Sequence, residues 1–288
     1  MKLRQSPWSH DYKSKRFTTK ALNFAAIPQL PVSLFRRRFE CLNQGESSRC
    51  AAYAAVANGM YIHGQVFSVD WQVNKIARIQ GYDVDGAGSN PNAAMNSQMY
   101  SKEGGYLPVN MWTLTAPALL DRYAQDYSNK AFVKPASGKD VFDSICMEIQ
   151  RSYDPGKGLG AGVQMFTEWH DTFNREEIRS FGNRLGWHSY LIIDFNRTDA
   201  DENNHYLVLQ NSYGRAIGGN GYQKLYRSMV NDLLSRWGNS CKIPVELTKE
   251  QLELAKQETP LGRIQRQLIN AFYAIGLYVV QLYGKIHV

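Results

Sequence analysis

The chain has few cysteines and none of them is paired by motif. Cys41, Cys50, Cys146 and Cys241 are the only four in 288 residues, and no two form a C-x-x-C pair. That argues against a structural zinc site and against a disulfide scaffold. No phosphate-binding P-loop, dinucleotide fingerprint or HExxH motif occurs, so nucleotide and zinc-protease chemistry lack their usual signatures. No apolar run reaches the roughly 20 residues of a membrane span. The first residues, MKLRQSPWSHDYKSKRF, contain no apolar stretch of the secretory kind. The expected compartment is therefore the cytoplasm, or the inside of a particle assembled there, such as a virion. No period of 20–50 residues repeats.

What is present reads as a globular domain with an extension at each end. Hydrophobic residues make up 43% and charged residues 20%, enough apolar material for a packed core. The net charge is +7, and part of it sits in Lys13, Lys15, Arg16, Lys20 and Arg36–Arg38. Aromatic residues do not alternate with these cations as they do in single-strand binders, so residues 1–30 read as a solvated basic arm and no nucleic acid is expected. Residues 50–62 begin with four alanines in six positions and predict a helix, with Ala52, Tyr53 and Val56 facing a core. Residues 64–75 complete that first helical layer. The stretch 84–107 is rich in turn residues and predicts loops and short helices. Val141, Phe142, Ile145, Cys146 and Ile149 have helical spacing and predict a helix from about Gly138 to Tyr153.

Beyond that helix the period changes. Short runs rich in β-branched and aromatic residues cover 161–166, 189–195, 205–212 and 221–227, separated by turn-rich segments. The chain therefore reads as α+β, a helical half followed by a mostly antiparallel half. Residues 246–288 form a third region. A polar helix is predicted over 249–258, and Leu261, Ile264, Leu268, Phe272, Ile275, Val279, Leu282 and Ile286 form a heptad-like stripe after Pro260. Three roles fit this C-terminal helix: docking on its own domain or a partner, self-association, and membrane contact.

One constellation carries chemistry. Cys50 follows a polar turn and opens the alanine-rich helix. A thiol at a helix start meets the positive end of the macrodipole, which is expected to lower its pKa. Gln44, six residues earlier, can fold its amide beside the sulfur. With the Cys50 backbone N–H it would hold a developing oxyanion. His188 stands at the start of a predicted strand and Asn211 at the end of the next. Pairing of those strands would let Asn211 orient His188 as base for Cys50. Arg49, Ser189 and Tyr213 flank these positions and are candidates for contact with substrate in the cleft. The remaining histidines, including His205 beside Asp199, Asp201 and Glu202, read as structural or as part of a solvated turn. No metal or cofactor is called for.

Taken together, NQGESSRCAAYAAV at 43–56, the apolar strand after His188 and NSYGRAIGGNGYQKL at 211–225 resemble the three active-site segments of the papain-like cysteine peptidases. Cys50 and His188 are 138 residues apart, inside the family's separation of about 130–150. The resemblance covers roughly residues 31–245. It implies two lobes, one helical and one β, with the active-site cleft between them, and peptide hydrolysis through an acyl-enzyme on Cys50. The sequence departs from the family at several points. Ser47 stands where a disulfide cysteine is usual, Ser48-Arg49 where Gly-Ser is usual, and Ala51 and Tyr213 where tryptophans are usual. Arg49 could depress the thiol pKa, favour an acidic substrate group, or point to solvent. The arm of about 30 residues before the domain is short for the family's usual inhibitory pro-segment, so control by such a segment is not expected, and with the missing disulfide the resemblance is more to bacterial or phage-encoded members than to lysosomal ones. Two further readings use the same scaffold: a catalytically silent structural or assembly protein acting through its C-terminal helix, and acyl transfer from the same thiolate to an amine.

Overall fold

A computed structural model describes residues 39–80, 91, 94, 97, 98, 105–111, 120, 124, 131–133, 141–236 and 239–245. The basic arm 1–30, most of the turn-rich stretch 84–107 and the whole of 246–288 lie outside the described residues.

Helix α1 (Cys50–His63) is buried on nearly every face, from Cys50 through Tyr61. Its alanines explain this, because a helix apolar all round belongs in a core. It ends at Gly64, which adopts φ +74° and returns its N–H to the Met60 carbonyl. Helix α2 (Val69–Gln80) starts where the Ser68 hydroxyl accepts the Trp71 N–H at 3.1 Å, an N-cap bond. The two helices pack through Ala51, Ala52, Ala55, Val73, Ile76 and Ala77. Helix α3 (Val141–Ser152) buries the predicted stripe of Val141, Phe142, Ile145, Cys146 and Ile149.

The strands among the described residues are β1 (Ala131–Val133), β2 (Val163–His170), β3 (Glu177–Ile178), β4 (Arg184–Asn196), β5 (Tyr206–Gln210), β6 (Tyr222–Tyr226) and β7 (Ser240–Val245). They form one sheet in the order β1-β7-β2-β4-β5-β6-β3. Neighbours are antiparallel except β3 and β6, which run parallel. Helix α4 (Arg227–Ser235) follows β6 directly. One sheet face presents Met165, Trp169, Tyr190, Ile192, Leu207 and Leu209 to α3 and α4. The other presents Leu191, Ile193 and Val208 to Ala57 and Tyr61 of α1. The result is a mixed α+β fold with β4 near its centre.

Two polar clamps fix α1 on the sheet. The Asn58 amide donates to the Gly162 carbonyl at 3.1 Å and accepts the Gly162 N–H at 2.8 Å. The Gln164 amide donates to the Ala51 carbonyl at 3.2 Å. Gly162 suits this approach, since a Cβ there would lie 2.6 Å from the Ile192 carbonyl oxygen. The Asp199–Glu202 turn is closed by local side-chain bonds, Asp201 N–H to the Asp199 carboxylate and Asn203 N–H to the Asp201 carboxylate.

Candidate active site

Asn211 follows β5, and His188 is the fifth residue of β4 rather than its first. The strand starts at Arg184 because Arg184, Gly186 and Trp187 still pair with β2, with a bulge at Leu185, although Arg184 and Leu185 are exposed. His188 Nε2 lies 3.1 Å from Asn211 Oδ1. The Ser212 N–H also reaches that atom at 2.7 Å. A backbone N–H only donates, so the atom is the amide oxygen and His188 Nε2 must carry the proton. In the neutral ring the lone pair is then on Nδ1. That nitrogen has no hydrogen-bond partner among the described residues.

The orientation of Asn211 is fixed from behind. Its amide donates to Gln223 Oε1 at 2.9 Å. The Gln223 amide donates in turn to the carbonyls of Phe173 and Arg175, the second at 2.9 Å.

Aromatic rings enclose the imidazole. Tyr213 stacks on it at 5.1 Å and 11° between planes, and Trp169 lies at 5.0 Å. Tyr190 meets it edge-on at 4.7 Å. His188 is wholly buried, and burial pulls its pKa down to about 4, the Asn211 hydrogen bond working in the opposite direction.

Gln44 is held at both ends of its amide. Nε2 donates to the Ser47 carbonyl at 2.6 Å, and Oε1 accepts the Ser212 hydroxyl at 2.5 Å. The Gln44 N–H donates to the Ser212 carbonyl at 2.7 Å. One amide hydrogen remains for another acceptor. Consecutive residues therefore serve two tasks, Asn211 orienting the histidine and Ser212 anchoring the glutamine. The loop that follows uses left-handed backbone at Gly221 (φ +89°), where any side chain would collide with Cys41.

Cys50 opens α1 as expected, but its ionisation departs from the expectation. The thiol is 1% exposed, and burial pushes its pKa up to about 11. Backbone and side-chain hydrogen bonding from Ser189, and the backbone of Ala51 and Cys50, pull the other way. Desolvation outweighs the helix terminus here. The resting pair is thus a neutral thiol and a neutral imidazole. The thiol does not hydrogen-bond to His188 Nδ1 in this structure.

Arg49 extends to Asp70 of α2, Nη1 to Oδ1 at 3.8 Å. Ser189 and Tyr213 are both buried, one at the sulfur and the other on the histidine, so neither forms an open cleft wall. All four cysteines are free and buried.

Trp169 and Gln223 were not singled out by the sequence. Trp169 lies just past the apolar run 161–166, after Thr167 and Glu168, with nothing to mark it as a histidine neighbour. Gln223 lies inside a segment that the family resemblance covers, yet its role depends on carbonyls 48 and 50 residues away.

No family model matches the sequence, and no curated protein is similar to it in sequence. The fold, however, matches solved structures. Xylellain, a cysteine protease from Xylella fastidiosa, aligns over 84% of this chain and 96% of its own, with TM-score 0.64 and 14% identity. Bromelain protease from Ananas comosus, solved with the E64 inhibitor, aligns over 75% and 100%, with TM-score 0.53 and 14% identity. The Carica candamarcensis cysteine protease CMS1MS2, solved with E-64, aligns over 76% and 100%, with TM-score 0.51 and 14% identity. The fold is papain-like. Within a papain-like fold the described arrangement offers a thiol at a helix start, an imidazole with a fixed tautomer and a tethered amide with one hydrogen to spare.

Proposed function

We propose that the chain is a cysteine-type endopeptidase acting on protein or peptide substrates. The observation that carries this reading is the fixed tautomer of His188, whose Nδ1 lone pair is left for a proton while Nε2 is committed to Asn211. In the proposed reaction His188 Nδ1 takes the Cys50 thiol proton as sulfur attacks the substrate carbonyl carbon. The spare Gln44 amide hydrogen and the Cys50 backbone N–H, unpaired as the first of a helix, hold the oxyanion. The C–N bond then breaks, His188 returns the proton to the leaving amine, and a thioester remains on Cys50. Water, deprotonated by His188, releases the acid product and the thiol. The chemistry suits a cytoplasmic or particle-enclosed setting in which Cys50 stays reduced.

An epoxysuccinyl inhibitor of papain-like enzymes tests this, with intact mass and the modified peptide as readout. Labelling of one site at Cys50, lost in Cys50→Ala and reduced at least about 10²-fold in rate in His188→Ala, is the expected outcome. The burial of Cys50 and His188 favours a second reading, a silent papain-like scaffold for assembly. That reading gains if folded protein resists the inhibitor while small alkylators still reach Cys50.

A further inference from the structure

Ser189 is the residue after His188, and its position on β4 places it on the face that α1 covers, with Leu191 of the α1-facing core two residues on. Across the ladder it pairs with Phe166, and the next same-face position on β2, Gln164, holds the Ala51 carbonyl of the first turn of α1. The side chain is therefore set under the start of the nucleophile helix by two elements that are themselves clamped together. Ser189 is 1% exposed, and its hydroxyl meets no hydrogen-bond partner within bonding geometry among the described residues. A buried hydroxyl left in this state is unfavourable unless another state of the protein satisfies it. Both its backbone and its hydroxyl favour the charged form of the Cys50 sulfur. A neutral thiol is a weak acceptor, whereas a thiolate is a strong one.

We infer that Ser189 is a further catalytic group, a hydroxyl donor that hydrogen-bonds the Cys50 sulfur when that sulfur carries negative charge. The inference rests on the peptidase reading for its role but not for its test. When the Cys50 proton passes to His188 Nδ1, the hydroxyl keeps its own proton and turns its O–H toward the sulfur. The bond exists in full only in the ionised state, so it lowers the cost of forming the thiolate rather than stabilising the resting site. The same donor serves again when the thioester breaks and sulfur departs with the electron pair. The adjacent histidine gives the arrangement economy of placement: one dipeptide supplies the proton acceptor and the donor to the anion it leaves.

The experiment is the pH dependence of Cys50 alkylation by iodoacetamide in the full chain, read by intact mass, for the parent, Ser189→Ala and Ser189→Thr. Thiolate ultraviolet absorbance, referenced to Cys50→Ala, gives the same titration without any need for reagent access. Ser189→Ala is expected to raise the apparent thiol pKa by about 1 in the absorbance titration and to slow alkylation about tenfold at neutral pH. Ser189→Thr, which keeps the hydroxyl, is expected to restore the parent profile. A Ser189→Ala profile that superimposes on the parent overturns the inference. So does slowed alkylation with an undisplaced thiolate absorbance titration, which would mark a packing effect. Neither readout requires peptide cleavage. A displaced profile in a chain that cleaves no peptide would retain this inference and remove the peptidase reading. Peptide cleavage with an unchanged profile would do the reverse.

Discussion

The carbonyl oxygens of Phe173 and Arg175 can only accept hydrogen bonds, and through two amides they decide which nitrogen of His188 carries a proton. They turn the Gln223 amide nitrogen toward themselves, which presents its oxygen to Asn211 and so presents the Asn211 oxygen to His188. Gln223→Leu removes the middle of that chain and leaves the buried Asn211 amide and Phe173 carbonyl unmet, along with the part-buried Arg175 carbonyl. Each unmet buried group costs about 1–3 kcal/mol, so a loss of roughly 2–4 kcal/mol in urea-unfolding stability is expected. On the peptidase reading, kcat falls on the order of tenfold to a hundredfold with KM nearly unchanged, because the base is mis-set while substrate contacts remain. Loss confined to KM would contradict a positioning role. At this scale the sequence reveals polar residues whose spacing repeats a known constellation, Gln44, Cys50, His188 and Asn211, and the structure joins His188 to Asn211 and Gln44 to the neighbouring Ser212. The sequence does not reveal what decides their ionisation. The helix start of Cys50 suggested a lowered thiol pKa, but enclosure of the sulfur reverses the sign, and enclosure is a property of packing that no local segment carries.

Helix α1 shows where local propensity and tertiary packing disagree. Gly59 lies in its interior, where alanine would be favoured by about 1 kcal/mol on propensity alone. A Cβ at Gly59 would sit 2.7 Å from the ring of Tyr106. That ring cannot retreat easily, because Tyr106 is wholly buried and its hydroxyl bonds to Gln98. Overpacking of this kind costs about 1–3 kcal/mol, which exceeds the propensity gain over most of its range, so Gly59→Ala is expected to lower the urea midpoint, with a net loss of up to about 2 kcal/mol in stability. A raised midpoint would mean that Tyr106 shifts freely and that the packing argument is wrong. The elements with strong periodicity were legible: α1, α3 and strands β2, β4, β5 and β6 fall where the apolar runs predict them. Strands β1 and β3 have three and two residues, and β7 draws its place from partners on β1 and β2 rather than from its own pattern. Helix α4 buries only Met229, Val230 and Leu233, too short a stripe to stand out.

For the molecule as a whole, the buried pair sets a window of pH in which the fold gains most from keeping both groups neutral. The His188 pKa falls from an ordinary 6.5 to about 4 in the folded chain. Between those values the unfolded chain binds a proton that the folded chain refuses, so stability rises with pH across that interval and is lost as pH falls through it. Cys50 acts at the other end. Its pKa rises from 9.0 to about 11, so the unfolded thiol ionises first and stability is lost as pH climbs through that range. A tenfold change in proton affinity corresponds to about 1.4 kcal/mol, which gives roughly 3 kcal/mol for each group over its interval. Buried tyrosines titrate at high pH as well, their pKa values raised by the same burial, so only a difference between variants isolates the thiol. His188→Gln, which retains a donor for Asn211 and cannot be protonated, is expected to flatten the acid limb of stability against pH by about 2–3 kcal/mol relative to the parent. Cys50→Ala is expected to flatten the alkaline limb and leave the acid limb alone. Urea unfolding at a series of pH values checks both at once. Parallel acid limbs for the parent and His188→Gln would show that the imidazole titrates as if solvated, and the enclosed neutral pair would then not describe the resting protein.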